Sequence, residues 1–119
     1  MTQHLTVAIR TTLAGPVIEI SGELDHHTAP DVRGALTGLA LNAGQQLVLD
    51  LGGLTFCDST GLTVMIAARN RALAADATIV LAAVPASVSR TLSLVGLDQV
   101  FPAHPTAEAA EAAWQPTEG

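Results

Sequence analysis

Ser59 stands between Asp58 and Thr60, two residues ahead of Gly61, where an apolar run gives way to a helical pattern. A serine hydroxyl in that setting has three chemistries open to it. It can cap the helix by accepting a hydrogen bond from a free N–H of the first turn, as can the Asp58 carboxylate. It can act as a nucleophile if a general base and an oxyanion site lie against it. It can also accept a phosphoryl group, bringing a charge of about −1.5 to −2 to a helix end whose dipole and free N–H groups favour anions. Capping is the ordinary use of an Asp-Ser pair. The nucleophile is poorly furnished, because His26 and His27 are the nearest candidate bases and no spacing sets them against Ser59. The Gly-x-Ser-x-Gly elbow of hydrolases fails, since Cys57 holds the first glycine position. An aspartic-protease site fails as well: one such acid would need a dimer, and Thr60 stands where glycine belongs. A phosphorylation switch requires the least machinery.

The second cluster is Gly22-Glu23-Leu24-Asp25-His26-His27-Thr28. Its plain reading is a polar loop running into a helix cap, with Asp25 a solvated turn residue. The adjacent histidines suggest metal, but no third ligand stands at a useful spacing, so no metal site is expected. Cys57, beside Phe56 in an apolar run, reads as a buried small hydrophobe, and without a Cys-x-x-Cys spacing a thioredoxin-type site is unsupported. Gly52 and Gly53 lack the lysine of a phosphate loop and the dinucleotide fingerprint.

Composition narrows the classes. The 119 residues suit one domain, and an apolar fraction of 49% supports a core built from Ala, Val and Leu, since aromatics are only 3%. The formal charge is −6, and the five basic residues are all arginines, Arg10, Arg33, Arg69, Arg71 and Arg90. They are dispersed, with no basic run and no interleaved aromatics, which argues against nucleic acid as a partner. An acidic surface is repelled by anionic lipid, and no apolar run is long enough to span a membrane. Met1-Thr2-Gln3-His4 lacks the basic start and apolar block of a signal peptide, and a lone cysteine cannot form an internal disulfide. A cytoplasmic protein is expected.

The elements that must position Ser59 follow from hydrophobic spacing. Leu5, Val7 and Ile9 alternate as a half-buried first strand; Ala14-Gly15-Pro16 turns the chain; Val17 to Ile20 returns as the second strand of a hairpin. Ser21 to His27 reads as loop. Thr28-Ala29-Pro30-Asp31 has the spacing of a capping box with Thr28 as N-cap. Val32, Ala35, Leu36 and Leu39 mark the inner face of a first helix ending near Asn42 or Gly44. Leu47 to Leu51 lacks alternation, as expected of a strand covered on both faces, and Gly52-Gly53 reads as a turn before a second short apolar run. The helix after Ser59 is expected to bury Leu62, Met65, Ile66 and Leu73. Gly61 should keep its first turn slim. Ala77 to Ala82 is another buried strand, and Pro85 opens a helix with Val88, Leu92 and Val95 inward and Gly96 as its stop. Gln99-Val100-Phe101 reads as an edge strand ended by Pro102; Thr106 caps a last helix with Trp114 as a late anchor, and the tail from 115 to 119 frays. The result is an α/β domain in the order β-β-α-β-α-β-α-β-α, with helices packed on a mixed sheet.

Gly22-Glu23-Leu24-Asp25-His26-His27-Thr28-Ala29 and Leu54-Thr55-Phe56-Cys57-Asp58-Ser59-Thr60-Gly61-Leu62, in that order and at that separation, resemble the STAS-domain anti-sigma factor antagonists of the SpoIIAA type. The resemblance covers nearly the whole chain. It implies a single STAS domain over residues 1–119 that is no enzyme and holds no cofactor, since ATP is bound by its partner. That partner is an anti-sigma factor with serine kinase activity, bound when the antagonist is unphosphorylated and released on phosphorylation; a serine phosphatase resets the cycle. Ser59 matches the phosphoacceptor, with Thr60 a minor alternative. Asp58 and Gly61 match the motif's acid and glycine, and Asp25 matches the acid of the loop beside the acceptor. Glu23 and His26 join Asp25, Asp58, Thr60 and Gly61 as residues supporting the phosphosite or the partner, and part of residues 64–70 should face that partner. Asp25 and Asp58 could also position the hydroxyl or a kinase-bound Mg²⁺, which prefers carboxylate oxygens. The expected state is a monomer or weak dimer. Two rivals stand beside this reading: a constitutive STAS scaffold, stressosome-like or transporter-associated, and a small serine hydrolase.

Overall fold

A computed structural model of the protein describes residues 5–115. Five strands form one sheet in the spatial order β1-β2-β3-β4-β5: Leu5–Thr11, Pro16–Leu24, Gln46–Cys57, Thr78–Ala82 and Ala103–His104. The first pair is an antiparallel hairpin, and β2, β3, β4 and β5 run parallel. Four helices alternate with them: α1 (Ala29–Thr37), α2 (Ser59–Ala74), α3 (Ala86–Leu94) and α4 (Ala107–Ala113), with a short 3-10 turn at Leu97–Gln99. The expected order of strands and helices is the observed one.

The sheet is covered on both faces, which is why its central strands lack alternation. On one face Ile18, Ile20, Leu47, Leu49, Leu51, Ile79 and Leu81 pack with Val32 and Leu36 of α1, Val64, Met65 and Ala68 of α2, and Val88 and Leu92 of α3. On the other, Val17, Val48, Val80 and Ala82 meet Ala107 and Ala110 of α4. Buried Gln46 ties that layer down, donating from Nε2 to the Ala110 carbonyl at 3.2 Å. Thr106 caps α4 by accepting from the Ala109 N–H at 3.0 Å, and the Trp114 indole donates to the Gly44 carbonyl at 3.3 Å.

Several expectations give way. Gly52-Gly53 is no turn: β3 runs unbroken through it, and the register against β2 shifts between Glu19 and Ser21. A Cβ on Gly53 would collide with the Ser21 side chain, so the glycine serves close strand approach. Ser21 to Leu24 is strand, paired with β3, so the loop shrinks to residues 25–28. Helix α1 ends at Thr37 with Gly38 as C-cap, short of Asn42. On α2 the buried face is Gly61, Val64, Met65, Ala68 and Ala72, while Ile66 and Leu73 are 38% and 49% exposed. Val95 caps α3 from an exposed position, with Gly96 at φ +81° behind it. Gln99 belongs to the 3-10 turn and Phe101 is buried in the core; the edge strand is Ala103–His104. The tail expected to fray lies outside the described residues beyond Gln115.

Candidate functional site

Parallel pairing brings the two sequence clusters together. Leu24 and Cys57 are register partners at the carboxyl ends of β2 and β3, so the segments that begin at Asp25 and Asp58 leave the sheet side by side. The Asp58 N–H donates to the Leu24 carbonyl at 3.3 Å, tying the start of α2 to the end of β2.

Helix α2 is capped by Asp58, in extended conformation, whose Oδ1 accepts from the Gly61 N–H at 3.1 Å. Ser59 is therefore released from capping. It occupies the first helical position, exposed, and its hydroxyl makes no hydrogen bond with a described residue. Thr60 is half-buried, and the Thr63 hydroxyl donates to the Ser59 carbonyl at 3.1 Å. Gly61 is required by proximity: a Cβ there would lie 2.5 Å from Cys57 Sγ and 3.1 Å from both Leu24 Cγ and the Leu24 carbonyl oxygen. The glycine lets α2 sit against the end of β2, which fixes where Ser59 emerges.

The loop after β2 is built by Asp25, and the expected capping box is absent. Thr28 holds the N-cap position in a helical conformation with no side-chain cap. Its hydroxyl donates instead to the Glu23 carbonyl at 2.7 Å and accepts from the Asp25 N–H at 2.9 Å. Asp25 Oδ1 accepts from the N–H groups of His27 and Thr28 at 2.9 and 3.1 Å, an Asx-type turn that competes with the cap. Partial desolvation pushes the Asp25 carboxyl up, but the N–H groups of Thr28 and His27, the Thr28 hydroxyl and the nearby His27 ring outweigh it and hold the pKa below its ordinary 3.8. Asp25 is thus an anion that stiffens its own loop.

The remaining residues separate by exposure. Glu23 is exposed and pairs in register with Phe56, which is 51% exposed. The half-bare ring lies one residue ahead of Cys57-Asp58, and the spacing gave no signal of it, since strict alternation would put Phe56 on the same face as buried Leu54. His26 is exposed and stacks edge-on against His27 at 5.7 Å, away from any hydrogen bond with Ser59. Cys57 is half-buried, and burial, aided by the Asp58 charge, raises its thiol pKa to about 11, so it is protonated at neutral pH. Among the described residues no group of three or more His, Cys, Asp or Glu converges as metal ligands, and no helix is long and apolar enough to cross a membrane. Within 64–70, Val64, Met65 and Ala68 are buried, leaving Ile66 and Asn70 outward.

Residues 7–102 match the family model described as "Mlab, STAS domain". The chain is similar to the anti-sigma-B factor antagonist of Listeria monocytogenes, 31% identical over 84 residues that cover 71% of this chain and 74% of the relative. It is likewise 31% identical over 87 residues to the anti-sigma F factor antagonist of Paenibacillus polymyxa, covering 72% and 74% of the two chains. Its fold superposes on the crystal structure of an anti-sigma factor antagonist from Mycobacterium paratuberculosis with a TM-score of 0.75 at 27% identity, over 92% of this chain and 93% of that one. The chain belongs to the STAS-domain family, together with the anti-sigma factor antagonists of Listeria and Paenibacillus.

Proposed function

We propose that this protein is an anti-sigma factor antagonist that switches partners through phosphorylation of Ser59. The observation that carries the reading is the division of labour at the start of α2: Asp58 supplies the cap, and Ser59 presents an uncommitted hydroxyl at the positive end of the helix. A hydroxyl that also capped would have to break that bond to react. A phosphate at the first helical position is favoured by the helix dipole and the free N–H groups, so the fold accepts it. No arginine or lysine occurs from residue 11 to 32 or from 34 to 68, so neither the Glu23–Asp25 segment nor the first two turns of α2 carries an arginine or lysine of its own to pair with the phosphate. The added charge is therefore left for the partner to meet, and release follows from repulsion and exclusion at the docking surface. In this reading the chain is substrate and binding partner, acting in the cytoplasm, while an anti-sigma factor supplies ATP and kinase activity and a phosphatase resets Ser59.

The test is intact-mass and peptide mass spectrometry after incubation with ATP and lysate of the source organism, with Ser59→Ala in parallel, followed by partner capture. One phosphate on the wild type, none on Ser59→Ala, and capture by Ser59→Ala but not by Ser59→Asp is the expected pattern. Equal capture by all three proteins would refute the switch and favour a constitutive binding module.

A further inference from the structure

We propose that the groove between α1 and α2 binds a compact dianion, phosphate- or carboxylate-bearing, with a small apolar body. The groove measures about 340 Å³ and is lined by Arg33, Leu36 and Thr37 of α1 and by Ala67 and Arg71 of α2. Its charge is out of keeping with the chain. Acidic residues outnumber basic ones eleven to five, yet the sole ion pair among the described residues is Arg10–Glu19. Neither Arg33 nor Arg71 has a described carboxylate within ion-pair distance. Two guanidinium groups thus line one concavity without a counter-charge, an arrangement that an anion of matching charge completes.

The second guanidinium is also held in place. Arg71 Nη2 donates to the Leu39 carbonyl at 2.7 Å, which leaves the rest of its planar fork pre-set and lowers the entropy lost on binding. Buried Leu36 and half-buried Ala67 supply an apolar floor, and the exposed Thr37 hydroxyl, now donating to the Arg33 carbonyl at 3.0 Å, can turn to an oxyanion. The volume falls in the range of small-molecule sites, roughly 300–1,000 Å³. Twelve residues of helix, about 18 Å along the α2 axis, separate Arg71 from Ser59, so this site is distinct from the phosphoacceptor and does not rest on the switch.

The test is an amide NMR titration with phenyl phosphate and, separately, phthalate, at ionic strength held constant with sodium chloride. Saturable shifts confined to Arg33, Leu36, Thr37, Ala67 and Arg71 are expected, and which probe produces them distinguishes a phosphoryl from a carboxylate ligand. Arg33→Gln, an exposed change with no structural bond to lose, should weaken binding by about tenfold or more, and Arg33→Lys by less, because it keeps the charge but loses the fork. The proposal is overturned by an absence of saturation with either probe at about 10 mM, the weak end of specific binding. Shifts that spread equally to Arg10 and Arg90, or an unchanged response in Arg33→Gln, would overturn it too.

Discussion

Replacing Gly61 with alanine sets two effects of opposite sign against each other at the start of α2. Alanine is the better helix former by up to about 1 kcal/mol, a gain that is smaller in a first turn. Against it, the new methyl would sit 2.5 Å from Cys57 Sγ and 3.1 Å from two atoms of Leu24, one of them backbone. Overpacking of this kind costs about 1–3 kcal/mol. The net expectation is a destabilisation of about 1–2 kcal/mol. For 119 residues the unfolding entropy is about 0.25 kcal/mol/K, so each kcal/mol lowers Tm by about 4 °C and the expected fall is about 4–8 °C. The Cys57→Ala background separates the causes, because it removes the sulfur and leaves only the Leu24 contacts. In that background Gly61→Ala should cost at most about half as much, a coupling that a double-mutant cycle reads directly. Thermal unfolding followed by circular dichroism on the four proteins is the assay. A neutral or stabilising Gly61→Ala, or a cost unchanged by Cys57→Ala, would refute the close-approach account of Gly61.

Asp58→Ala should lower stability by about 1 kcal/mol through loss of the α2 cap, whereas Asp58→Asn, which keeps an acceptor, should retain most of it in urea unfolding. The Asp25 pKa is lowered in the folded state, so its contribution is present above the unfolded value of 3.8 and is lost as pH falls from there through the folded midpoint. Carbon-detected NMR titration should place that midpoint below 3.8 in the wild type and raise it in Thr28→Val, which removes the hydroxyl; an unmoved midpoint would discount Thr28. The Cys57 thiol, raised from 9.0 to about 11, should carry roughly a hundredfold less thiolate at neutral pH than an ordinary cysteine. Its reaction with a disulfide reagent should therefore still be climbing at pH 10, and a plateau near pH 9 would contradict the burial.

What could be read from the sequence was local. The order of strands and helices followed from hydrophobic spacing, and the acid-hydroxyl pair at Asp58-Ser59 announced a helix start because capping depends on residues three apart in the chain. The two motifs that single out Ser59, Gly61 and Asp25 are likewise short stretches of adjacent residues. What failed was non-local. Gly52-Gly53 carries every local mark of a turn, yet parallel pairing with β2 and the space claimed by Ser21 keep it in a strand. In alanine-rich α2, apolarity could not identify the inner face; the neighbours of Ala68 and Ala72 decided it, leaving Ile66 and Leu73 outside. Thr28 has the composition of a cap, but the Asp25 turn and the Glu23 carbonyl compete for its hydroxyl and win. The edge strand moved to Ala103–His104 because Phe101 is drawn into the core, so that the carbonyls of Pro102 and His104 accept from Leu81 and Ala83 of the β4 side. The sequence by itself determined a hydroxyl at a capped helix start, since that depends on a few adjacent residues; only the tertiary structure decided that the Asp25 loop stands beside it, because the pairing of Leu24 with Cys57 joins segments more than thirty residues apart.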